Sequence, residues 1–333
     1  MKRRKITGLF AAIGMLLLII DADTALAGAK EGIELCIQTV IPSLFPFFVL
    51  SVLLTNAMTG SSTAAFRPIG RLCGIPVGSE ILLLTGLLGG YPVGAQAVVQ
   101  AYKDRQLSKE DARRMLGFCS NAGPAFFFGI IPLQFQNKLI PLILWLIHIA
   151  SALAVGALLP GRSRNTVRLR ESALLGVSGA VKRSTGIMAS VCAWVTLFRI
   201  VVAFLIGRLQ FLPRDAGTVI CGLLELANGC CQLSSIQNAA VRFVVSSGLL
   251  AFGGLCVCMQ TVSATAGLGL GMYLPGKLLQ TGISMLLAML LTPPLFREFA
   301  ATYVLIPLFF LITAVILGVR KKRVAFQREM VYN

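Results

Sequence analysis

Long apolar runs recur along the chain, among them residues 6–20, 138–159, 185–207 and 301–319. Each is near or long enough to cross a hydrocarbon core of about 30 Å at about 1.5 Å per residue. The polar punctuation between such runs predicts eight transmembrane helices. These are helix 1 over 6–27, helix 2 over 32–57 with Pro42 and Pro46 inside it, helix 3 over 112–133 and helix 4 over 138–160. Helices 5 to 8 follow over 184–209, 241–262, 276–292 and 300–319. Two more apolar segments, 79–101 and 216–240, are interrupted at their centres, the first by GLLGGYPVGAQ (86–96) and the second by GLLELANGCCQ (222–232).

Charge decides how these segments thread. Basic residues gather in short loops: KRRK at 2–5, Arg67 and Arg71, the polar stretch 102–114, then Arg162, Arg164, Arg168, Arg170, Lys182 and Arg183, and RKKR at 320–323. Such loops mark the cytoplasmic side. Segment 79–101 has basic flanks at both ends, so it enters and leaves on one face, as a re-entrant helical hairpin. Segment 216–240 reads the same way from the other side. The expected fold is therefore an all-α polytopic membrane protein of about eight spans plus two re-entrant hairpins, with both termini in the cytoplasm.

The map divides into an N-terminal helix (1–30), a first unit with its following helix (31–160), a basic loop (161–183), a second unit (184–275) and C-terminal helices with a basic tail (276–333). The two units echo each other. Gly86 corresponds to Gly222, Arg113 to Arg242 and Gly123 to Gly253, at offsets of 136, 129 and 130 residues. Helix 2 starts outside and helix 5 inside, so the repeat is inverted.

Composition supports this class and excludes others. Apolar residues make up 56% of the chain and charged residues 13%, about half the charged fraction usual in soluble domains. The net charge of +17 could invite nucleic acid, but no soluble domain remains to host it, and anionic lipid headgroups suit these loops better. Nine cysteines fall mostly within apolar runs without a CxxC pair, and one histidine, His148, accompanies them. They read as small buried hydrophobes; no metal or other cofactor is expected. At the N-terminus, KRRK, the apolar run and Ala25-Leu26-Ala27 also have the layout of a signal peptide. A retained helix is the favoured reading, since later spans can direct insertion.

In lipid every backbone polar group needs an internal partner, so irregular backbone survives only when buried in protein or lining a cavity. Paired Gly/Pro-broken segments in matching halves point to a transporter's midplane site. The first half then offers Gly89, Gly90, Tyr91, Pro92, Gly94 and Gln96 at the hairpin tip, with Ser120 and Asn121 in the broken helix 3. The second offers Glu225, Asn228, Gly229 and Gln260. Glu225 is costly at depth, about 2.5–3.5 kcal/mol on insertion scales. It reads either as a proton- or cation-coupling group or as a structural partner of Arg199. Tyr91, Ser120, Asn121 and Gln260 each also admit a packing or backbone-satisfying role. His148, outside the repeats, reads as a packing residue. No HExxH, GxSxG, paired aspartates or P-loop occurs, so an enzyme is not expected.

Together GGYPVGAQ, LSKEDARR, FCSNAGPAFFFG, GLLELANG and FGGLCVCMQ resemble the YlbJ-like family of sporulation integral membrane proteins. That family belongs to the nucleoside-recognition or Gate domain proteins, related in architecture to concentrative nucleoside transporters. The resemblance spans roughly residues 30–320. It implies an inverted pair of hairpin units, a role in forming the endospore cortex and residence in the cytoplasmic membrane. It supplies no substrate. The chain departs from the family's pattern at Ala227, where a hydroxylic residue is expected.

The reading is a transporter-like protein moving a small polar solute or ion, with H+ or Na+ as candidate coupling ions. Its partners are that solute and membrane lipids, with a homo-oligomer left open. A non-transporting organiser that recruits cortex-assembly partners is the alternative.

Overall fold

The computed structural model describes residues 2–58, 64–169, 175–208, 211–265, 267–298 and 304–332. Of the expected basic groups, Arg170 and the side chains at 2–5 and 320–323 lie outside what is described. Among the described residues the regular structure is helical, apart from one isolated bridge between Val77 and Thr166.

Helix α1 (Lys2–Ile20) stops at Asp21, whose carboxylate accepts from Thr24 N at 3.2 Å and caps α2 (Ala22–Leu35). The expected boundary near 28–31 is not there. Residues 22–58 form one 37-residue helical stretch, through a wide π turn at Cys36–Val40 into α3 (Ile41–Met58). Gly28 and Gly32 serve packing instead of a break. A Cβ on Gly32 would come within 2.8 Å of Thr196 Cα, and one on Gly28 within 3.0 Å of Ile200 Cα, so the GxxxG pair lets α9 (Val177–Arg208) lie against α2. The π turn comes just before Pro42, where a tight turn would press the proline ring on a preceding carbonyl.

Five described helices are long and apolar enough to cross a membrane: Ala22–Met58, Ile140–Leu158 (α8), Val177–Ile206, Ala239–Ala264 and Tyr273–Phe296. This is fewer than the eight expected. The apolar parts of α1 and of the last helix are short, Ala11–Ile20 and Leu305–Gly318. Expected helix 3 is broken up: after α7 (Lys109–Met115) the chain is extended around 120–123, then forms a π turn at Phe126–Ile130. Pro124 and Gly123 remove the donor and the stiffness that a continuous helix needs.

The loops sort to two ends of the bundle. α8, about 28 Å long at 19 residues, joins those ends. At its C-terminal end, Arg114 donates to the carbonyls of Gly156, Leu159 and Pro160 and to those of Cys73 and Gly74 after α4 (Arg67–Cys73). Val77 pairs with Asn165 and Val167, and Asn165 reaches Asp111. Met272 N donates to Arg113 O, and Leu175 N to Asn56 Oδ1. The segments expected inside thus meet one another. At the other end, Gln134 accepts from Ser234 N and, through its backbone carbonyl, from Arg242, while Asn238 donates to Glu298.

Two helical hairpins enter from these opposite ends. α5 (Glu80–Leu88) and α6 (Val93–Lys103) both start and finish at the Arg114 end. α10 (Arg214–Leu224) and α11 (Leu226–Cys231) do so at the Gln134 end, where Thr218 and Ser235 hydroxyls bond at 2.6 Å. Glycine lets each pair close. A Cβ on Gly94 would sit 2.5 Å from Gly86 Cα, and one on Gly229 only 2.1 Å from Gly222 Cα. Each hairpin is crossed by a broken element. The 119–124 segment passes the first, with Gly123 against Gly90. The second is passed by the junction of α12 (Ala239–Phe252) and α13 (Gly254–Ala264), with Gly254 against Gly222. Gly253 takes φ +83 there, a left-handed cap that ends α12.

Candidate functional site

The first hairpin's tip places Tyr91 in the middle of the molecule, 3% exposed. Its hydroxyl lies 3.3 Å from both the Leu250 and Ala251 carbonyls, at the C-terminal end of α12. Gly253 makes room for the ring; a Cβ there would meet Tyr91 Cζ at 2.9 Å. The tip of one half is thus seated on the break of the other.

Beside it stands Lys277 of α14 (Tyr273–Phe296), fully buried. Its Nζ donates to Gln280 Oε1 at 2.6 Å, Tyr91 OH at 3.1 Å and Asn121 Oδ1 at 3.4 Å, and lies 5.1 Å from the Tyr91 ring centroid. Gln280 Nε2 in turn donates to Asn121 Oδ1 at 3.0 Å and reaches the His148 carbonyl at 3.4 Å. Asn121 Nδ2 donates to Phe118 O at 2.8 Å. These bonds tie the hairpin tip, the broken 119–124 segment, α8 and α14 into one buried polar cluster.

His148 is more than packing. Its Nε2 accepts from Ala122 N at 3.2 Å, which satisfies a backbone donor of the extended segment, and its ring tilts against Phe127 at 5.2 Å. Ser120 is buried next to Asn121, and its hydroxyl finds no partner among the described residues.

Glu225 sits apart from this cluster, at the turn of the second hairpin. It is the N-cap of α11: its carboxylate accepts from Ala227 N at 3.0 Å, Asn228 N at 2.7 Å and Asn228 Nδ2 at 2.8 Å. Three donors and a helix N-terminus stabilise a buried charge there. Arg199 is not the ion-pair partner that the sequence suggested. It pairs with Glu31 on α2, because the close α2–α9 contact brings those side chains together.

The remaining expected residues are dispersed. Gly89, Gly90, Pro92 and Gly94 shape the first tip, and Gly229 the second, through backbone approach. Gln96 lines a separate pocket of about 80 Å³ with Thr55, Thr85 and Arg183, between α3, α6 and α9. Gln260 is buried in α13 and donates to Cys256 Sγ at 3.4 Å. Sequence reasoning brought Tyr91 and Asn121 forward and missed Lys277 and Gln280. A signal for them existed: Lys277, Gln280, Thr281 and Ser284 form a polar stripe at helical spacing inside an apolar run, and all four are buried.

Comparison with known proteins adds one finding. The sporulation integral membrane protein YlbJ of Bacillus subtilis (strain 168) is 25% identical over 326 residues, which covers 83% of this chain and 79% of that protein. The match supports the YlbJ-like family. With YlbJ it also supports a multi-pass integral membrane protein, which the long apolar helices suit. No protein-family profile matches the chain. No solved structure matches it either.

Proposed function

We propose that this chain is a transporter-like protein of the cytoplasmic membrane that acts in endospore formation, at the cortex, and moves a small polar solute or ion. One observation carries the reading: two hairpins enter from opposite ends, and Tyr91 at the tip of the first rests on the break at Leu250–Gly253 in the second half. Such an arrangement is what alternating access needs. Both tips interrupt helices inside protein, and rocking of the hairpin units against α8 and α14 would open the cluster to one end at a time. The hairpins are then re-entrant, in a Gate-like inverted repeat, with the Arg114 end and both termini on the cytoplasmic side. The YlbJ likeness supports the sporulation role.

Purified protein in liposomes is expected to give solute-dependent flux, or thermal stabilisation, with at least one of nucleosides, amino acids, organic acids or common ions. No response to any of them overturns the reading. The second reading, an organiser that recruits cortex-assembly partners, is favoured by the exposed charged turn at Lys103–Arg105 and by exposed Lys109 and Glu110. In a sporulating host it requires substitutions in that turn to damage sporulation more than substitutions at the hairpin tips.

A further inference from the structure

We propose that Tyr91, Asn121 and Gln280 build a monovalent-cation site at the centre of the protein, and that the ammonium of Lys277 fills it as a tethered cation. Three oxygens converge on Nζ, at 2.6, 3.1 and 3.4 Å, and an aromatic face lies 5.1 Å away. Oxygen ligands and a π face are what a desolvated cation seeks.

The orientation of those oxygens is set independently of Lys277. The Asn121 amide spends its N–H on Phe118 O, and the Gln280 amide spends its own on Asn121 Oδ1 and the His148 carbonyl. Tyr91 directs its O–H to Leu250 O and Ala251 O. With these donors committed elsewhere, each group turns lone pairs toward one point. The carbonyl end of α12 lies behind Tyr91 and adds negative potential.

Among the described residues no carboxylate bonds to Lys277. Glu225 is occupied by the start of α11, Glu80 accepts from Gly78 N, and Asp111 is bound to Ser108 and Asn165. A buried ammonium without a counter-ion is sustained by oriented dipoles, as a bound metal cation would be. The side chain therefore does the work of a diffusible cation. On the transport reading, the protein needs no sodium ion, since the cation stays tethered to α14 while the hairpins move against it.

The test reads thermal unfolding of purified protein in detergent, in NaCl, choline chloride and propylammonium chloride. Wild type is expected to unfold at the same temperature in sodium and in choline. Lys277→Ala is expected to unfold lower, and to recover by about 3–5 °C, saturably, in propylammonium or sodium, which enter the vacated site. Lys277→Met fills the space without charge, and should be destabilised and not rescued. Sodium-specific stabilisation of the wild type overturns the proposal, as does a Lys277→Met protein as stable as the wild type, or an Ala variant that no cation rescues. Should Lys277→Ala fail to fold, the Tyr91→Phe and Lys277→Met double cycle decides: coupling supports the site, and additivity refutes it. Because the assay reads stability, its failure is distinct from an absence of flux.

Discussion

Replacing Arg114 by methionine tests how α4, α7 and α8 are held together. The guanidinium is 4% exposed and reaches five carbonyls: Gly156 at 2.6 Å, Cys73 at 2.7 Å, Pro160 at 3.0 Å, Gly74 at 3.1 Å and Leu159 at 3.2 Å. Four of these close the ends of α4 and α8, where helical carbonyls have no partner of their own. A hydrogen bond to a charged group contributes about 1.5–3 kcal/mol, so the two shortest alone suggest about 3–6 kcal/mol. Removing the guanidinium also returns its desolvation cost and leaves only neutral carbonyls, so the net loss should sit at the low end of that range, about 3 kcal/mol. Methionine keeps the aliphatic stem but removes the guanidinium from the Phe118 ring, 5.2 Å away, together with its hydrogen bonds. Arg114→Lys should lose nearly as much, because one ammonium cannot span carbonyls from two helices and a loop. Thermal and urea unfolding in detergent give the measurement. A loss under about 1 kcal/mol for Arg114→Met, or full rescue by lysine, refutes the argument that this fork joins α4, α7 and α8.

Four further outcomes follow. Gly94→Ala and Gly229→Ala should each cost about 3 kcal/mol or more, because the new Cβ meets backbone atoms at 2.0 and 2.1 Å that no rotamer can move, while Gly217→Ala, with open space around it, should be neutral or stabilising by up to about 1 kcal/mol; unfolding midpoints compare the three. A double-mutant cycle on Arg199→Ala and Glu31→Ala should give a coupling below about 1 kcal/mol, since Glu31 is 53% exposed, and the cycle with Glu225→Ala should give none. Asn228→Ala should cost about 1.5–3 kcal/mol by removing a bond to the Glu225 carboxylate, and Asn228→Asp more, by setting two carboxylates together; chemical denaturation reads both. Gly253→Ala should destabilise through both its positive φ and the Tyr91 ring, whereas pairing it with Tyr91→Ala should recover the steric part alone, as read by the same midpoints.

What could be read from the sequence was the position of breaks; what could not was which side chains would meet. GLLGGYPVGAQ and GLLELANGCCQ announced hairpins because Gly and Pro are expensive in an apolar helix unless backbone must approach backbone there, and Gly86–Gly94 and Gly222–Gly229 do so. The expected boundary between helices 1 and 2 fell at 28–31, where Gly28 and Gly32 instead form a packing face for α9. A glycine pair has both meanings, and only the neighbouring helix decides between them. Arg199 was matched to Glu225 by depth alone, but rotation about α9 points it at α2, and apolar runs carry no rotational information when they are apolar all round. Lys277 falls inside expected helix 7 (276–292), and its stripe with Gln280, Thr281 and Ser284 was the missed clue.

An inverted repeat by itself would give two equal hairpin tips, and the two tips here are not equal. The second turns inward on its own helix: Glu225 satisfies three donors within α11. The first turns outward, and Tyr91 reaches across to α12 while accepting from Lys277 on α14. Moving α10 and α11 would leave the Glu225 cap intact, since all its bonds are local. Moving α5 and α6 would break the Tyr91 contacts and uncover Lys277. The polar cluster is thus coupled to one hairpin far more than to the other. That asymmetry makes the α5–α6 tip, not its partner, the element whose displacement would expose the buried charge.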